Sequence, residues 1–427
     1  MSSPGVRAAS RGSLLLLIVV QASGCAVTRS VLLAEKRAHY KFEASSSPGD
    51  PEFLHSMEAF GNKMVPGNKV ELLNNGVEFF PAMLRDIAAA RKSVNLEIYA
   101  FRNDKAGQRF AEGLAAAARR GVEVRLLVDG HGSKLGPLRE MLQQAGVNVQ
   151  TYRPVTPLSI FKIGRRTHRK ILVVDGAISY TGGFGIAERW LGDARNQKEW
   201  RDCAVRVTGP VVGQMQGIFG EDWTFTTGEI LVGENLFPRN APAGGVLAQA
   251  VKASRGDATS VAKMLYYVAI SSAKKSITLQ NAYFVPDKQM REALAAAARR
   301  GVDVRIMVPG PHIDMPLVRL AGRGKYGDLL EAGVKIYEYQ PSMLHSKVLV
   351  VDGLFSTVGS INFDVRSMIS NAEESFIFYD KDVAARLEAS FRRDLAHARD
   401  VSYDRWKKRG LDKRFAEALS TLGTPLY

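Results

Sequence analysis

The chain has 427 residues, 46% of them hydrophobic, which is enough for two domains with buried cores and excludes a disordered polypeptide. Lys and Arg number 58 against 43 Asp and Glu, a formal charge of +15, and such a field attracts polyanions, nucleic acid or an anionic membrane surface. The only cysteines are Cys25 and Cys203, and there is no Cys-x-x-Cys and no His-Glu-x-x-His, so neither a disulfide framework nor a metal site is expected.

In chain order, residues 1–25 read as an export segment. Arg7 and Arg11 precede the apolar run Leu14 to Val20, and Ala22-Ser23-Gly24 leads into Cys25. The run is far shorter than the ~20 apolar residues that span a bilayer. Small residues before a cysteine resemble the lipobox of bacterial lipoproteins, which implies lipidation of Cys25 and a membrane-associated place in the bacterial cell envelope. Ordinary cleavage to a secreted or periplasmic protein is the alternative. Residues 26–67 are polar, carry Ser45-Ser46-Ser47-Pro48-Gly49-Asp50, and read as a tether.

From there the apolar periods alternate between strand and helix. Val94 to Phe101 predicts a strand, Phe110 to Arg120 a helix ending at Gly121, and Val122 to Val128 a strand. Pro137 to Ala145 predicts a second helix and Val147 to Tyr152 a further strand. Cys203 to Val207 alternates as a strand, with Cys203 a buried, inert thiol. The segment Ala115-Ala116-Ala117-Ala118-Arg119-Arg120-Gly121-Val122 returns 180 positions later as Ala295-Ala296-Ala297-Ala298-Arg299-Arg300-Gly301-Val302. Two copies of one α/β unit are therefore expected, over 68–240 and 241–427, parted where Pro238 to Gly245 concentrates Pro and Gly.

Each copy carries one pattern. His168-Arg169-Lys170, then Ile171 to Val174, Asp175 and, after six residues, Gly182-Gly183 stands in the first. His345-Ser346-Lys347, then Val348 to Val351, Asp352 and, after six residues, Gly359-Ser360-Ile361-Asn362 stands in the second. Alternate residues of a strand share a face, so His168 projects with Lys170 and His345 with Lys347 from the start of an apolar strand. Asp-Gly then signals a turn, and the small residues Gly183 and Ser360 leave room for a phosphate near backbone amides. A lone His beside an apolar strand is usually structural. Recurrence of the whole pattern 177 residues apart in a duplicated chain overturns that reading.

The doubled motif resembles the phospholipase D superfamily and, within it, the bacterial cardiolipin synthases. Flanking segments extend the resemblance from Val70 to the C-terminus, among them Glu97-Ile98-Tyr99, Trp200-Arg201-Asp202, Tyr283-Phe284-Val285-Pro286-Asp287 and Asn362-Phe363-Asp364-Val365-Arg366-Ser367. The resemblance implies two duplicated phospholipase D-like domains, each a mixed β-sheet flanked by helices, packed with pseudo-twofold symmetry around one pocket. There His168 attacks phosphorus to form a phosphohistidine, His345 protonates the departing alcohol, and Lys170 and Lys347 stabilise charge, with no cofactor or metal. Asp175 and Asp352 count with this catalytic set as motif members, although a strand-ending turn suits a structural task. Glu373 and Asp202 stand where the family places acids that orient an imidazole, and Asn362 where an amide binds a phosphate oxygen. Gly185 stands where the first half would carry the matching Asn. His131 lies in a loop resembling the family's Asp-x-x-Gly-Ser, beside the pocket and without a catalytic role.

The expected reaction passes a phosphatidyl group from phosphatidylglycerol to another lipid hydroxyl, with anionic phospholipids as partners and nucleic acid disfavoured by the export segment. A hydrolytic phospholipase D, a metal-independent nuclease and a non-catalytic lipid-binding protein are the alternatives. Pro157 to Phe161, followed by Lys162, Arg165 and Arg166, has the composition of a loop that dips into lipid. Lys407-Lys408-Arg409 and Lys413-Arg414 form a basic tail that reads equally as a solvated helix face.

Overall fold

The structure, a computed structural model, describes residues 40, 42, 46–156, 166–253 and 260–422. The export segment with Cys25, most of the tether and the loop from Pro157 to Arg165 lie outside the described residues. No helix among the described residues is long and apolar enough to cross a membrane.

Among the described residues, seven strands arise from the first copy: β1 Val65–Asn74, β2 Ser93–Ile98, β3 Glu123–Asp129, β4 Asn148–Tyr152, β5 Lys170–Val174, β6 Ile178–Gly182 and β7 Cys203–Thr208. Eight follow from the second: β8 Val246–Ala253, β9 Ser276–Asn281, β10 Asp303–Pro309, β11 Lys335–Tyr339, β12 Lys347–Val351, β13 Phe355–Gly359, β14 Glu373–Tyr379 and β15 Ala398–Asp400. They join into one sheet, ordered β15-β11-β10-β9-β12-β13-β14-β8-β1-β7-β6-β5-β2-β3-β4. Read outward from the β8/β1 contact, the order is the same on both sides apart from the edge strand β15, which is the pseudo-twofold relation. The trio β2-β3-β4 in the first half and β9-β10-β11 in the second pair in parallel, and the others, the edge strand β15 included, pair antiparallel. The predicted strands and helices recur within a few residues. The helix from Lys105 to Arg119 begins five residues earlier than expected, because the Asp104 carboxylate caps the amides of Ala106 and Gly107.

The strands behind the two motifs have no solvent face. All five residues of β5 and all five of β12 are buried. Leu172 and Val174 face the helices of the first half, whereas Ile171 and Val173 share a core with Val348 and Val350 across the boundary between halves. Each strand is thus gripped from both sides, which fixes the side chains at its head.

One expectation changes. Within the stretch read as a tether, Pro51–Phe60 is a helix and β1 starts at Val65. Phe53, Met57 and Met64 are buried in the core of the second half, where Phe53 meets Phe355 edge-on at 6.2 Å. The segment between the copies is an ordered crossover. Leu231 and Leu236 are buried, Asn240 donates to the Gly176 carbonyl, and Ser93 to that of Asn235.

Candidate active site

Short backbone bridges place the motifs across the boundary. The amide of His168 donates to the Ala372 carbonyl at 2.8 Å, and the amide of Ala372 to that of Arg166 at 3.0 Å. In the symmetric position the amide of Arg201 donates to Met343 at 2.9 Å, and that of His345 to Arg201 at 2.6 Å. The residue after each bridging position is an acid, Glu373 or Asp202. Each acid consequently serves the imidazole of the opposite half: His168 Nδ1 lies 2.8 Å from Glu373 Oε2, and His345 Nδ1 lies 3.0 Å from Asp202 Oδ2. With Nδ1 held by a carboxylate, Nε2 is the nitrogen left for chemistry.

The two lysines turn back on their motifs. Lys170 Nζ donates to the His168 carbonyl and Lys347 Nζ to the His345 carbonyl, both at 2.5 Å. Tyr99 and Tyr283 occupy equivalent positions, with Lys170 Nζ 5.7 Å from the ring centre of Tyr99 and Lys347 Nζ 5.9 Å from that of Tyr283. The halves differ in one respect. Lys347 Nζ also sits 3.0 and 3.2 Å from Nδ1 and Nε2 of His345, a contact that Lys170 does not make with the ring of His168.

Burial dominates the charges. It pushes His168 down to about 4 against the pull of Glu373, and His345 down to about 3, with Lys347 adding to the descent. Burial also lowers Lys347 to about 7 and Lys170 below the usual ammonium range. Glu373 and Asp202 go the other way: burial would raise both, but the imidazoles and lysines beside them hold them below the ordinary carboxylate range. The site therefore has ionised acids, neutral imidazoles and, in Lys347, an ammonium group near its titration point. A phosphodiester anion favours every cationic form, so binding a phosphodiester near neutral pH takes up protons. Calorimetry in buffers of different ionisation enthalpy reads this uptake, and a net release would contradict the assignment.

His168, Lys170 and His345 line one cavity of about 260 Å³. Its walls also carry Tyr99, Tyr283, Trp190 and Trp200, and the guanidinium-bearing residues Arg102, Arg166 and Arg366. Trp200 lies 4.9 Å and Trp190 5.3 Å from the ring of His345, and Tyr99 lies 5.1 Å from that of His168. Tyr99, Trp200 and Tyr283 stand in the sequence only as parts of flanking segments, and Trp190 carries no local signal of its place in the site. Pairing Tyr99 with Tyr283 across the repeat was the signal available.

The other expected site residues divide. Asn362 lines the cavity; its Nδ2 donates to Ser367 Oγ at 3.4 Å, and the atom without a hydrogen-bond partner is its acceptor Oδ1. Gly183 and Ser360 do not offer amides to a phosphate, a correction to the sequence reading. Their amides donate to the carbonyls of Cys203 and Glu374. A Cβ on Gly183 would stand 2.3 Å from Asp202 Oδ1 and 2.4 Å from the His345 carbonyl, so the glycine makes room for the acid. Ser360 instead donates its hydroxyl to Glu373 at 2.6 Å. Asp175 and Asp352 are corrected too. Each ends its strand roughly 16 Å of extended chain from the motif lysine. With φ of 52° and 54°, each accepts amides from the loop that opens a neighbouring strand: Arg91, Lys92 and Ser93, or Lys274, Lys275 and Ser276. They clamp turns and do not touch the site. At Gly185 a Cβ would stand 2.8 Å from the Trp190 ring, so that ring takes the room an asparagine would need. His131 is absent from the cavity lining, and Cys203 is buried with its thiol pushed up to about 12 by that burial.

Comparison with known proteins agrees with this geometry. The family described as cardiolipin synthase, phospholipase D-like domain, matches residues 83–223 and 266–395. A cardiolipin synthase of Geobacillus kaustophilus is 38% identical over 84% of this chain and 72% of its own length, and one of Geobacillus thermodenitrificans is 37% identical over 89% and 77%. The solved phosphatidylserine synthase of Haemophilus influenzae superposes with a TM-score of 0.65 over 87% of this chain and 96% of its own, at 14% identity, a likeness of fold. By the repeated match and the relatives that share it over most of their length, this chain belongs to the phospholipase D-like family of the cardiolipin synthases.

Proposed function

We propose that the protein is a cardiolipin synthase. His168 Nε2 attacks the phosphorus of phosphatidylglycerol, the bond from phosphorus to the glycerol oxygen breaks, and His345 supplies the proton that glycerol takes away. The hydroxyl of a second phospholipid then gives its proton to His345 and attacks phosphorus, and the bond to His168 breaks. Lys170 and Lys347 offset the charge that builds on the phosphoryl oxygens. The observation that carries this reading is the crossed pair of imidazole–carboxylate contacts at one cavity. Contact of Lys347 with the His345 ring supports His345 as the proton carrier, and the unencumbered Nε2 of His168 supports attack from that side.

A cavity of about 260 Å³ has room for a diester headgroup, and the acyl chains stay outside it. The aromatic wall supports transfer to a lipid over hydrolysis, because it leaves little room for water. Arg102, Arg166 and Arg366 support the presence of a second anionic headgroup. The export segment and Cys25 support a place on the cell-envelope membrane, anchored by lipid. Thin-layer analysis of lipids from cells expressing the protein tests the reading: cardiolipin rises, and does not rise with His168→Ala. Phosphatidic acid rising with cardiolipin unchanged would replace it with hydrolysis.

A further inference from the structure

The helix from Leu411 to Leu422 has its apolar face turned outward. Leu411, Phe415 and Leu419 follow at intervals of four, so they share one face, and they are 79%, 72% and 59% exposed. The face turned inward is polar. Glu417 is 2% exposed and pairs with Arg409 at 2.7 Å and Arg323 at 3.5 Å, while Ser420 is buried beside it. A surface helix ordinarily buries its apolar stripe and solvates its charges. Here the buried ion pairs hold the inverted orientation, docking the helix against Pro316–Gly324 through Gly324, Glu417 and Thr421.

Two further observations name what covers this face. Exposed Lys407, Lys408, Lys413 and Arg414 lie on or just before this helix, against exposed Asp404 and Asp412, so the exposed charge of the segment is net basic. The supporting helix Pro316–Gly324 also reaches the cavity: Met315 and Val318 line it, and Met315 and Leu317 are themselves exposed. An exposed apolar stripe on a segment of net basic charge is the composition that seats a helix at the boundary between headgroups and acyl chains of an anionic membrane.

We propose that the outward face of Leu411, Phe415 and Leu419 is a membrane-docking surface for anionic bilayers, which sets the mouth of the cavity at headgroup level. Phospholipid as occupant rests on the function proposed above, but docking is measured without reference to product. The test uses the full chain with Phe415→Trp, read as the difference from the parent with its four tryptophans, Trp190, Trp200, Trp223 and Trp406. With vesicles of phosphatidylglycerol carrying brominated acyl chains, emission of the added tryptophan shifts to the blue and falls by roughly half. With phosphatidylcholine vesicles of the same bromination it stays near its value in buffer. Leu411→Ser with Leu419→Ser in the same chain removes the effect while thermal melting stays unchanged. Equal emission with and without anionic vesicles overturns the proposal. So does a blue shift in buffer that grows with protein concentration, which would assign the face to a second copy of the chain. Docking without cardiolipin formation would remove the proposed reaction and leave the surface standing.

Discussion

His345→Ala lowers turnover of phosphatidylglycerol by about 10²- to 10⁴-fold, the usual contribution of a positioned acid. It nevertheless retains a rapid burst of nitrophenolate, one per enzyme, from a nitrophenyl phosphodiester. A leaving group that departs as a stable anion needs no proton, so the first half-reaction proceeds and the enzyme stalls as a phosphohistidine, with no base to activate the second alcohol. His168→Ala gives no burst with either substrate. Mass spectrometry of the stalled His345→Ala enzyme finds the added phosphoryl group on the peptide bearing His168. A burst from His168→Ala and none from His345→Ala would exchange the two roles, and loss of the burst in both would remove the division of labour.

Glu373→Gln and Asp202→Asn each lower kcat by roughly 10²- to 10⁴-fold, the range seen when a carboxylate that holds an imidazole becomes an amide. The carboxylate fixes the tautomer with the proton on Nδ1 and stabilises the cation that forms as Nε2 reacts, and a neutral amide does the second poorly. Crossing of the pairs makes the two substitutions distinguishable. Glu373 faces His168, so Glu373→Gln slows the nitrophenolate burst. Asp202 faces His345, so Asp202→Asn spares the burst and slows turnover of the natural lipid. KM changes little in either, because neither acid is among the residues that line the cavity. If both variants slow the burst alike, the carboxylates act as a common charge and not as partners of separate imidazoles.

What the sequence disclosed about this site was local, and what it concealed was relational. His168 with Lys170 and His345 with Lys347 were legible because strand periodicity and recurrence act over a few residues. Glu373 and Asp202 were legible as acids at matching places. That each reaches the imidazole of the other half follows only from the bridges of Thr167 with Ala372 and Arg201 with Leu344, which no local period encodes. The small size of Gly183 and Ser360 is legible and its use is not, since Gly183 makes room for Asp202 and Ser360 bonds Glu373, each a carboxylate well over ten positions away in sequence. The helix at Pro51–Phe60 was hidden by the polar run before it, although Asp50-Pro51 and the spacing of Phe53 with Met57 carry a start signal and one apolar face.

That amino-terminal helix has a consequence for synthesis. Phe53 and Met57 belong to a core completed by Phe355 and Ile377, and β1 borders β8, so the first described elements leave the ribosome long before their partners exist. At ordinary elongation speed the wait is roughly 15 to 60 s. Folding cannot finish the first copy and then add the second as an independent bead. β1 can already pair with β7, but the helix Pro51–Phe60 must wait without its core partners, and the molecule closes by returning to it.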